Sequence, residues 1–204
     1  MNNSLYGGAM PAQSTEAAAA PAPRKAANTL CGDRPIFLVG MMGAGKTTIG
    51  RQLAKQLGRE FLDLDHELEA RCGVRVSLIF DIEGEEGFRR RESALLQECA
   101  QRNDIIIATG GGAVLAEANR RCLRDHGLVI YLRAKGDELY RRVARDRGRP
   151  LLQTVDPRGR IAELLAQREP LYEEVANLVF ETGLMPVPQV VQSLIPMLQK
   201  HETA

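Results

Sequence analysis

The sequence predicts an α/β fold, a parallel sheet covered by helices on both faces. Three observations lead there. From residue 34 onward, short apolar runs alternate with stretches of helical periodicity, the pattern of strands joined by crossover helices. Ile36-Phe37-Leu38-Val39, Ile105-Ile106-Ile107 and Leu128-Val129-Ile130-Tyr131-Leu132 are continuous apolar runs of strand length. Between the first run and its helix stands Gly40-Met41-Met42-Gly43-Ala44-Gly45-Lys46-Thr47. That is the pattern G-x-x-x-x-G-K-T in the strand-to-helix context a phosphate-binding loop requires.

Each element follows from a local signal. A strand at 35–40 leads into a helix at 46–57, with Ile49, Leu53 and Leu57 spaced four apart and Gly58 as its C-cap. Phe61-Leu62-Asp63-Leu64 is a short strand ending in acids, followed by a helix from Asp65 to about Cys72 that Gly73 closes. Residues 75–83 form a short helix, and Glu85, Phe88, Leu95, Leu96 and Cys99 mark one face of a long one. The third strand, 104–108, runs into Gly110-Gly111-Gly112, and a helix covers about 115–125. Strand 128–132 is followed by a helix near 136–145 that Arg147-Gly148-Arg149-Pro150 breaks. A helix at 159–176, a strand at 177–180 and a closing helix with Val187, Val190, Val191, Leu194, Ile195 and Leu198 complete the chain.

Bulk properties exclude several classes. The chain has 204 residues, enough for one domain with a sizeable core. Lys plus Arg number 27 against 26 Asp plus Glu, so no global field recruits nucleic acid or an anionic membrane. Cys31, Cys72, Cys99 and Cys122 lie far apart and form no C-x-x-C pair, which fits a reducing compartment better than a zinc or disulfide framework. No apolar run approaches a membrane span. Residues 1–33 are rich in Ala, Pro, Ser and Asn and poor in large apolar side chains, so a disordered extension is expected. Ala17 to Ala20 is too short for a secretory h-region, and Arg24 and Lys25 with sparse serine give little support to a transit peptide. A cytoplasmic protein is the expectation.

In parallel sheets ligands bind at the carboxyl ends of the strands, so the residues just after each strand are the candidates. After the first, glycines turn successive backbone N–H groups toward a polyphosphate, and the helix N-terminus adds partial positive charge. Gly43, Ala44, Gly45, Lys46, Thr47 and Thr48 form this cradle. Lys46 can reach the β- and γ-phosphates, and the Thr47 hydroxyl can hold Mg²⁺. After the second strand, Asp63 and Asp65 stand two apart and are expected to point the same way. One would serve Mg²⁺ and the other a substrate hydroxyl, with a helix N-cap as the alternative for Asp65. After the third come Gly110, Gly111 and Gly112, bare backbone against which a ligand can lie, or a plain flexible turn.

Consecutive helical residues spread by about 100° each, so Arg89, Arg90 and Arg91 cannot all face one site. Residues 145–158 are basic, rich in Gly and Pro and without periodicity, as a mobile lid would be, with Arg145, Arg147, Arg149 and Arg158 to deliver charge to a transferring phosphoryl group. Arg168 lies off the apolar stripe of its helix, which reads on its own as a solvent-exposed arginine.

Taken together the motifs resemble those of the shikimate kinases. The match covers roughly residues 34 to 200. It comprises the run from Gly40 to Arg51, Asp63-Leu64-Asp65, Gly84-Glu85 with Phe88-Arg89 and Glu92, Gly110 to Val114, Arg149-Pro150-Leu151-Leu152, and Arg168 with Pro170-Leu171-Tyr172. The resemblance implies a P-loop fold of nucleoside-monophosphate-kinase type, with a five-stranded parallel sheet and a mobile lid. It implies transfer of the γ-phosphoryl of ATP, with Mg²⁺, to the 3-hydroxyl of shikimate, a step of aromatic amino-acid biosynthesis. It implies that Arg89 and Arg168 grip the shikimate carboxylate with Gly111 in support, that Asp65 binds the hydroxyls and acts as base, and that Lys46 and Arg149 neutralise the transferring group. Thr47 and Asp63 would serve the metal, and Arg142 would lie along adenine. The residue types suit this chemistry independently, since arginine grips a carboxylate bidentately and phosphoryl transfer needs positioning and charge neutralisation. One departure is the loop Thr182-Gly183-Leu184-Met185-Pro186, which lacks the basic residue that family members often place near adenine.

Two alternatives stand beside this reading. A kinase of another small hydroxy acid, such as gluconate, would share the phosphate loop and lid but not the Asp63/Asp65, Phe88-Arg89 and triple-glycine set. A non-catalytic nucleotide-binding regulator should have lost Lys46, Asp65 or Arg149, and all three are present. A monomer without nucleic-acid or membrane partners is expected.

Overall fold

The computed structural model describes residues 32–144, 150–152 and 154–202. The expected disorder of residues 1–31 and the placement of Arg145, Arg147 and Arg149 lie outside the described residues. Gly32, Asp33 and Arg34, at the edge of the expected extension, are tied to the fold. The Asp33 carbonyl accepts from the Asp104 N–H at 2.7 Å, and the Arg59 guanidinium donates to the carbonyls of Gly32 and Arg34.

Five strands form one parallel sheet: β1 (Ile36–Val39), β2 (Glu60–Asp63), β3 (Ile105–Ala108), β4 (Leu128–Arg133) and β5 (Leu178–Glu181), in the spatial order β2-β3-β1-β4-β5. Successive strand residues point to opposite faces. Every residue of β1 is fully buried, as are Ile105, Ile106 and Ile107 of β3, so both faces of the sheet centre are covered. This is why these strands read as unbroken apolar runs rather than as alternating ones. The edge strands β2 and β5 are partly exposed and carry charged residues, Glu60 and Glu181.

The helices are α1 (Lys46–Leu57), α2 (Leu64–Cys72), α3 (Val76–Cys99), α4 (Glu117–His126), α5 (Gly136–Val143), α6 (Pro157–Val175) and α7 (Val187–Glu202). α1 packs with α7 and against β2 and β3, while α4 packs with α3, α6 and β4. The two helices expected at 75–83 and beyond Glu85 run on as α3, interrupted at Gly84, whose backbone leaves the helical region (φ 69°, ψ −178°). The helix expected from about 115 is a 3-10 turn, Ala113–Leu115, and then α4. α6 starts two residues earlier than its periodicity suggests. Asp156 caps it, its Oδ1 accepting from the Gly159 N–H at 2.9 Å, and Pro157 occupies the first turn, where a missing N–H is harmless.

The region expected as a lid therefore ends sooner than 158. Pro150–Leu152 is a 3-10 turn, and Arg158 sits in the first turn of α6 with its guanidinium 2.8 Å from Asp137 of α5.

Leu53 of α1 is fully buried in the core cluster that β1 and β3 share. Leu53→Ala should lower unfolding stability by about 2–5 kcal/mol, the range for leucine truncation in a close-packed core, as read from urea denaturation.

Candidate active site

The register of the sheet sets the site. Ala108 of β3 stands opposite both Leu38 of β1 and Asp63 of β2, so the loops after all three strands start side by side. Thr109 fastens them: its N–H and its Oγ1 both donate to the Leu38 carbonyl, at 3.1 Å each.

The loop after β1 wraps the N-terminus of α1. Gly45 precedes the helix at φ 95°, a conformation that L side chains rarely adopt, and this turns the backbone back toward the strand. Lys46 folds over the loop, its Nζ donating to the carbonyls of Gly40 at 2.7 Å and Met41 at 3.0 Å. A cavity of about 540 Å³ opens above, bounded by residues 42–49, Asp63, Asp65, Thr109, Gly111, Arg142 and the loop after β5. It therefore brings together the expected Gly43, Ala44, Gly45, Lys46, Thr47, Thr48 and Arg142.

Asp63, not Asp65, is the N-cap of α2. Its Oδ1 accepts from the backbone N–H groups of Asp65 at 3.1 Å and His66 at 3.3 Å. The helix starts one residue before Asp65, so the two aspartates do not share a strand face as their spacing suggests. They meet because the helix turns Asp65 back over the strand end. Asp63 Oδ2 accepts from Thr47 Oγ1 at 2.5 Å. This paired hydroxyl and carboxylate is an all-oxygen donor set, which suits Mg²⁺, a cation that takes one or two protein oxygens and completes its shell with phosphate and water. Among the described residues no group of three or more His, Cys, Asp or Glu could hold a metal by itself.

Arg142, expected along adenine, lines the cavity. Its guanidinium donates to the carbonyl of Gly43 at 3.1 Å, to Thr182 Oγ1 at 3.4 Å and to the carbonyl of Gly183. A basic side chain from α5 thus reaches the loop 182–186, which has none of its own. Leu184, Met185 and Pro186 of that loop give the same cavity an apolar wall.

A second cavity of about 260 Å³ adjoins the first, and Met42, Asp65 and Gly111 border both. Its walls are Phe80 and Phe88 of α3, His66 and Glu69 of α2, Leu151, the three glycines, and Arg89, Glu92 and Arg168. The volume lies just under the roughly 300–1,000 Å³ usual for drug-sized ligands, so it suits a smaller molecule. Of the arginine run only Arg89 turns inward. Arg90 pairs with Glu86 and Arg91 with Glu83, both at the surface. A Cβ on Gly112 would stand 2.2 Å from Arg89 Nη2, and one on Gly110 would stand 2.0 Å from Glu92 Oε1. The triple glycine is thus a close approach of side chains to bare backbone rather than a flexible turn.

Arg168 is a correction to the sequence reading. It is 2% exposed, not solvated, and its Nη1 would lie 3.8 Å from a Cβ on Gly111. Burial holds its guanidinium below the ordinary arginine pKa, Tyr172 opposing and the nearby Arg89 adding to the shift. Its Nε has no hydrogen-bond partner among the described residues. Two guanidinium groups facing one small chamber, Arg168 buried and Arg89 partly so, form a site for an anion, a planar carboxylate above all.

Glu92 is the residue that the sequence reading left without a role. Its carboxylate is 2% exposed and pairs with Arg89 at 2.6 Å. Burial pushes its carboxyl above the ordinary range, Arg89 pulling it down and Asp65 pushing further up. For Arg89, burial lowers the pKa, but Glu92 and Glu85 outweigh it and the group stands above the ordinary value. The available signal was a glutamate three residues after Arg89, helical spacing for a pair. Removing one partner of a buried pair leaves a charge uncompensated and costs about 3–5 kcal/mol. Arg89→Ala should lose that much stability near neutrality. A carboxyl with a raised folded pKa contributes stability below its unfolded value and loses it as pH rises. The deficit of Arg89→Ala should therefore shrink as pH falls through the raised range in which the buried Glu92 takes up a proton, because a neutral carboxyl needs no partner. Thermal melts across pH check this.

A sequence profile of the family described as shikimate kinase matches residues 42–199. A shikimate kinase of Bordetella avium is 69% identical over 170 residues, covering 83% of this chain and 81% of that protein. The solved shikimate kinase from Acinetobacter baumannii in complex with shikimate is 43% identical with a TM-score of 0.82, covering 84% of this chain and 96% of the other. A gluconokinase from Sinorhizobium meliloti shares the fold alone, at 16% identity and a TM-score of 0.56 over 82% of this chain and 93% of the other. The chain belongs to the shikimate kinase family.

Proposed function

We propose that this protein phosphorylates the 3-hydroxyl of shikimate with ATP. The observation that carries the reading is the pair of adjoining cavities, one at a phosphate-binding loop and one lined by Arg89 and the buried Arg168, with Asp65 on their shared border. Its relatives by sequence and by structure are shikimate kinases, one of them solved with shikimate.

In this reading ATP lies in the larger cavity. The backbone of Gly43, Ala44 and Gly45 with Lys46, Thr47 and Thr48 holds its phosphates, and the base end meets Arg142 and the loop 182–186. Thr47 and Asp63 would hold Mg²⁺, which neutralises phosphate oxygens when bound with the nucleotide. Lys46 exchanges its loop carbonyls for phosphate oxygens. Shikimate lies in the smaller cavity, its carboxylate gripped by Arg89 and Arg168 beside Gly110, Gly111 and Gly112, and its ring hydroxyls directed at Asp65. Asp65 accepts the proton of the 3-hydroxyl as that oxygen bonds to the γ-phosphorus. The bond from phosphorus to the ADP oxygen breaks, and Lys46 steadies the charge on the transferring group. Arg149 would join Lys46 from the segment 145–158. The balanced charge and the free thiols of Cys72, Cys99 and Cys122 support a cytoplasmic monomer.

ADP release should saturate with shikimate and stay at background with gluconate, as a coupled assay at fixed Mg²⁺ measures. Turnover with neither acceptor would sink the assignment. Asp65→Asn should lower kcat by about 10²–10⁴, the range for a positioned base, with a melting temperature close to that of the parent. Normal turnover in that variant would exclude Asp65 as the base.

A further inference from the structure

The proposed reaction leaves unused a buried hydroxyl behind the acceptor chamber, that of Tyr172, which bonds Gly111 of the chamber wall. Tyr172 lies one helical turn after Arg168 on α6, so the two side chains emerge on the same face. It is 1% exposed, and its ring stacks on Tyr131 of β4 with centroids 5.0 Å apart and planes 28° from parallel. Its hydroxyl donates to the carbonyl of Gly111 at 2.5 Å. The Arg168 guanidinium comes to the same glycine, its Nη1 3.8 Å from where a Cβ on Gly111 would stand, and the nearby Tyr172 favours the charged arginine. Burial keeps the hydroxyl protonated by pushing its pKa up, so it can go on donating to Gly111.

We propose that Tyr172 is a positioning residue for the acceptor: its hydroxyl locks Arg168 to the Gly111 backbone and so fixes the guanidinium where a carboxylate must dock. The geometry supplies what such a role needs. The ring cannot swing, because it is stacked and buried. The hydroxyl holds the loop that borders both cavities at the residue the Arg168 guanidinium approaches. The buried Arg168 Nε–H has no partner among the described residues, so little else fixes the guanidinium. An arginine held in one rotamer loses less freedom on binding than a loose one, and affinity follows from that preorganisation.

The inference rests on the proposed use of shikimate, and its test separates the two. Shikimate Kd by calorimetry, kcat, and KM for ATP are measured in the parent, Tyr172→Phe, Arg168→Lys and the double variant. Tyr172→Phe keeps the ring and its stacking. It should weaken shikimate binding about ten-fold, the scale of a hydrogen bond to a charged group, and leave KM for ATP within about two-fold. In the Arg168→Lys background the same change should cost much less, because the hydroxyl acts through the guanidinium. Tyr131→Phe removes a hydroxyl from the same stack without touching Arg168 or Gly111, and should leave shikimate binding unchanged. Unaltered shikimate Kd in Tyr172→Phe, or full additivity with Arg168→Lys, overturns the positioning role while the activity stands. Equal losses in Tyr131→Phe and Tyr172→Phe also overturn it, since they would trace to the stack. A parent that neither binds nor turns over shikimate overturns both proposals.

Discussion

Parallel pairing of β1 with β3, and of β3 with β2, is the constraint on which the rest depends. It sets Leu38, Ala108 and Asp63 in one row at the carboxyl edge. Three loops that are far apart in sequence then start on neighbouring strands, about 4.8 Å apart at each step. A shift of one residue in that pairing would turn every side chain to the other face and carry Asp63 away from Thr47. The two bonds from Thr109 to the Leu38 carbonyl hold the row just where it leaves the sheet. The buried strands beneath provide a rigid floor, and on that floor the phosphate loop, the capping aspartate and the triple glycine keep their relative positions.

The two chambers solve different electrostatic problems. In the larger one, positive charge is close to water and is supplied by backbone N–H groups, a helix end and Lys46, all of which lose little on exchanging one oxygen partner for another. In the smaller one Arg168 is buried and Arg89 partly buried, and the charge of Arg89 disfavours that of Arg168. Glu92 and Glu85 offset the cost at Arg89. Arg168 has no carboxylate partner among the described residues, only Tyr172 and the loop backbone. A bound carboxylate between the two guanidinium groups would supply the missing negative charge. Of the two guanidinium groups, Arg168 is thus left without an anion of its own, which is a physical reason for an acid to be preferred over a neutral sugar.

How far the sequence is legible follows the range of the interactions. The strands, α1 and the phosphate loop are written in local periodicity and in one contiguous motif, and they stand within a residue or two of expectation. The cap of α2 was legible as an aspartate but not as which one, because Asp63 and Asp65 both fit an N-cap by residue type and only backbone geometry selects Asp63. Arg168 was misleading because a helix with little amphipathic contrast gives no clean polar face. The side opposite its apolar stripe is covered by the glycine loop from a distant part of the chain. Glu92 and the hydroxyl of Tyr172 were silent for a related reason. Their value lies in contacts with Arg89, Gly110 and Gly111, and neither residue type advertises such a partner.

The division between the chambers also locates selectivity. A gluconokinase shares this fold at low identity, so a sheet of this kind does not by itself choose the acceptor. The larger cavity is built mainly from the loop after β1, the ends of β2 and β3, and the loop after β5, parts that any phosphoryl donor of this type needs. The smaller one draws its distinctive groups from helices: Arg89 and Glu92 from α3, and Arg168 from α6. The helices can change their facing residues without moving the strand ends, because the strands are held by their own buried faces. In the function proposed above, acceptor identity is therefore set largely from α3 and α6, and the two arginines there argue for an acid more strongly than the phosphate loop argues for any substrate at all.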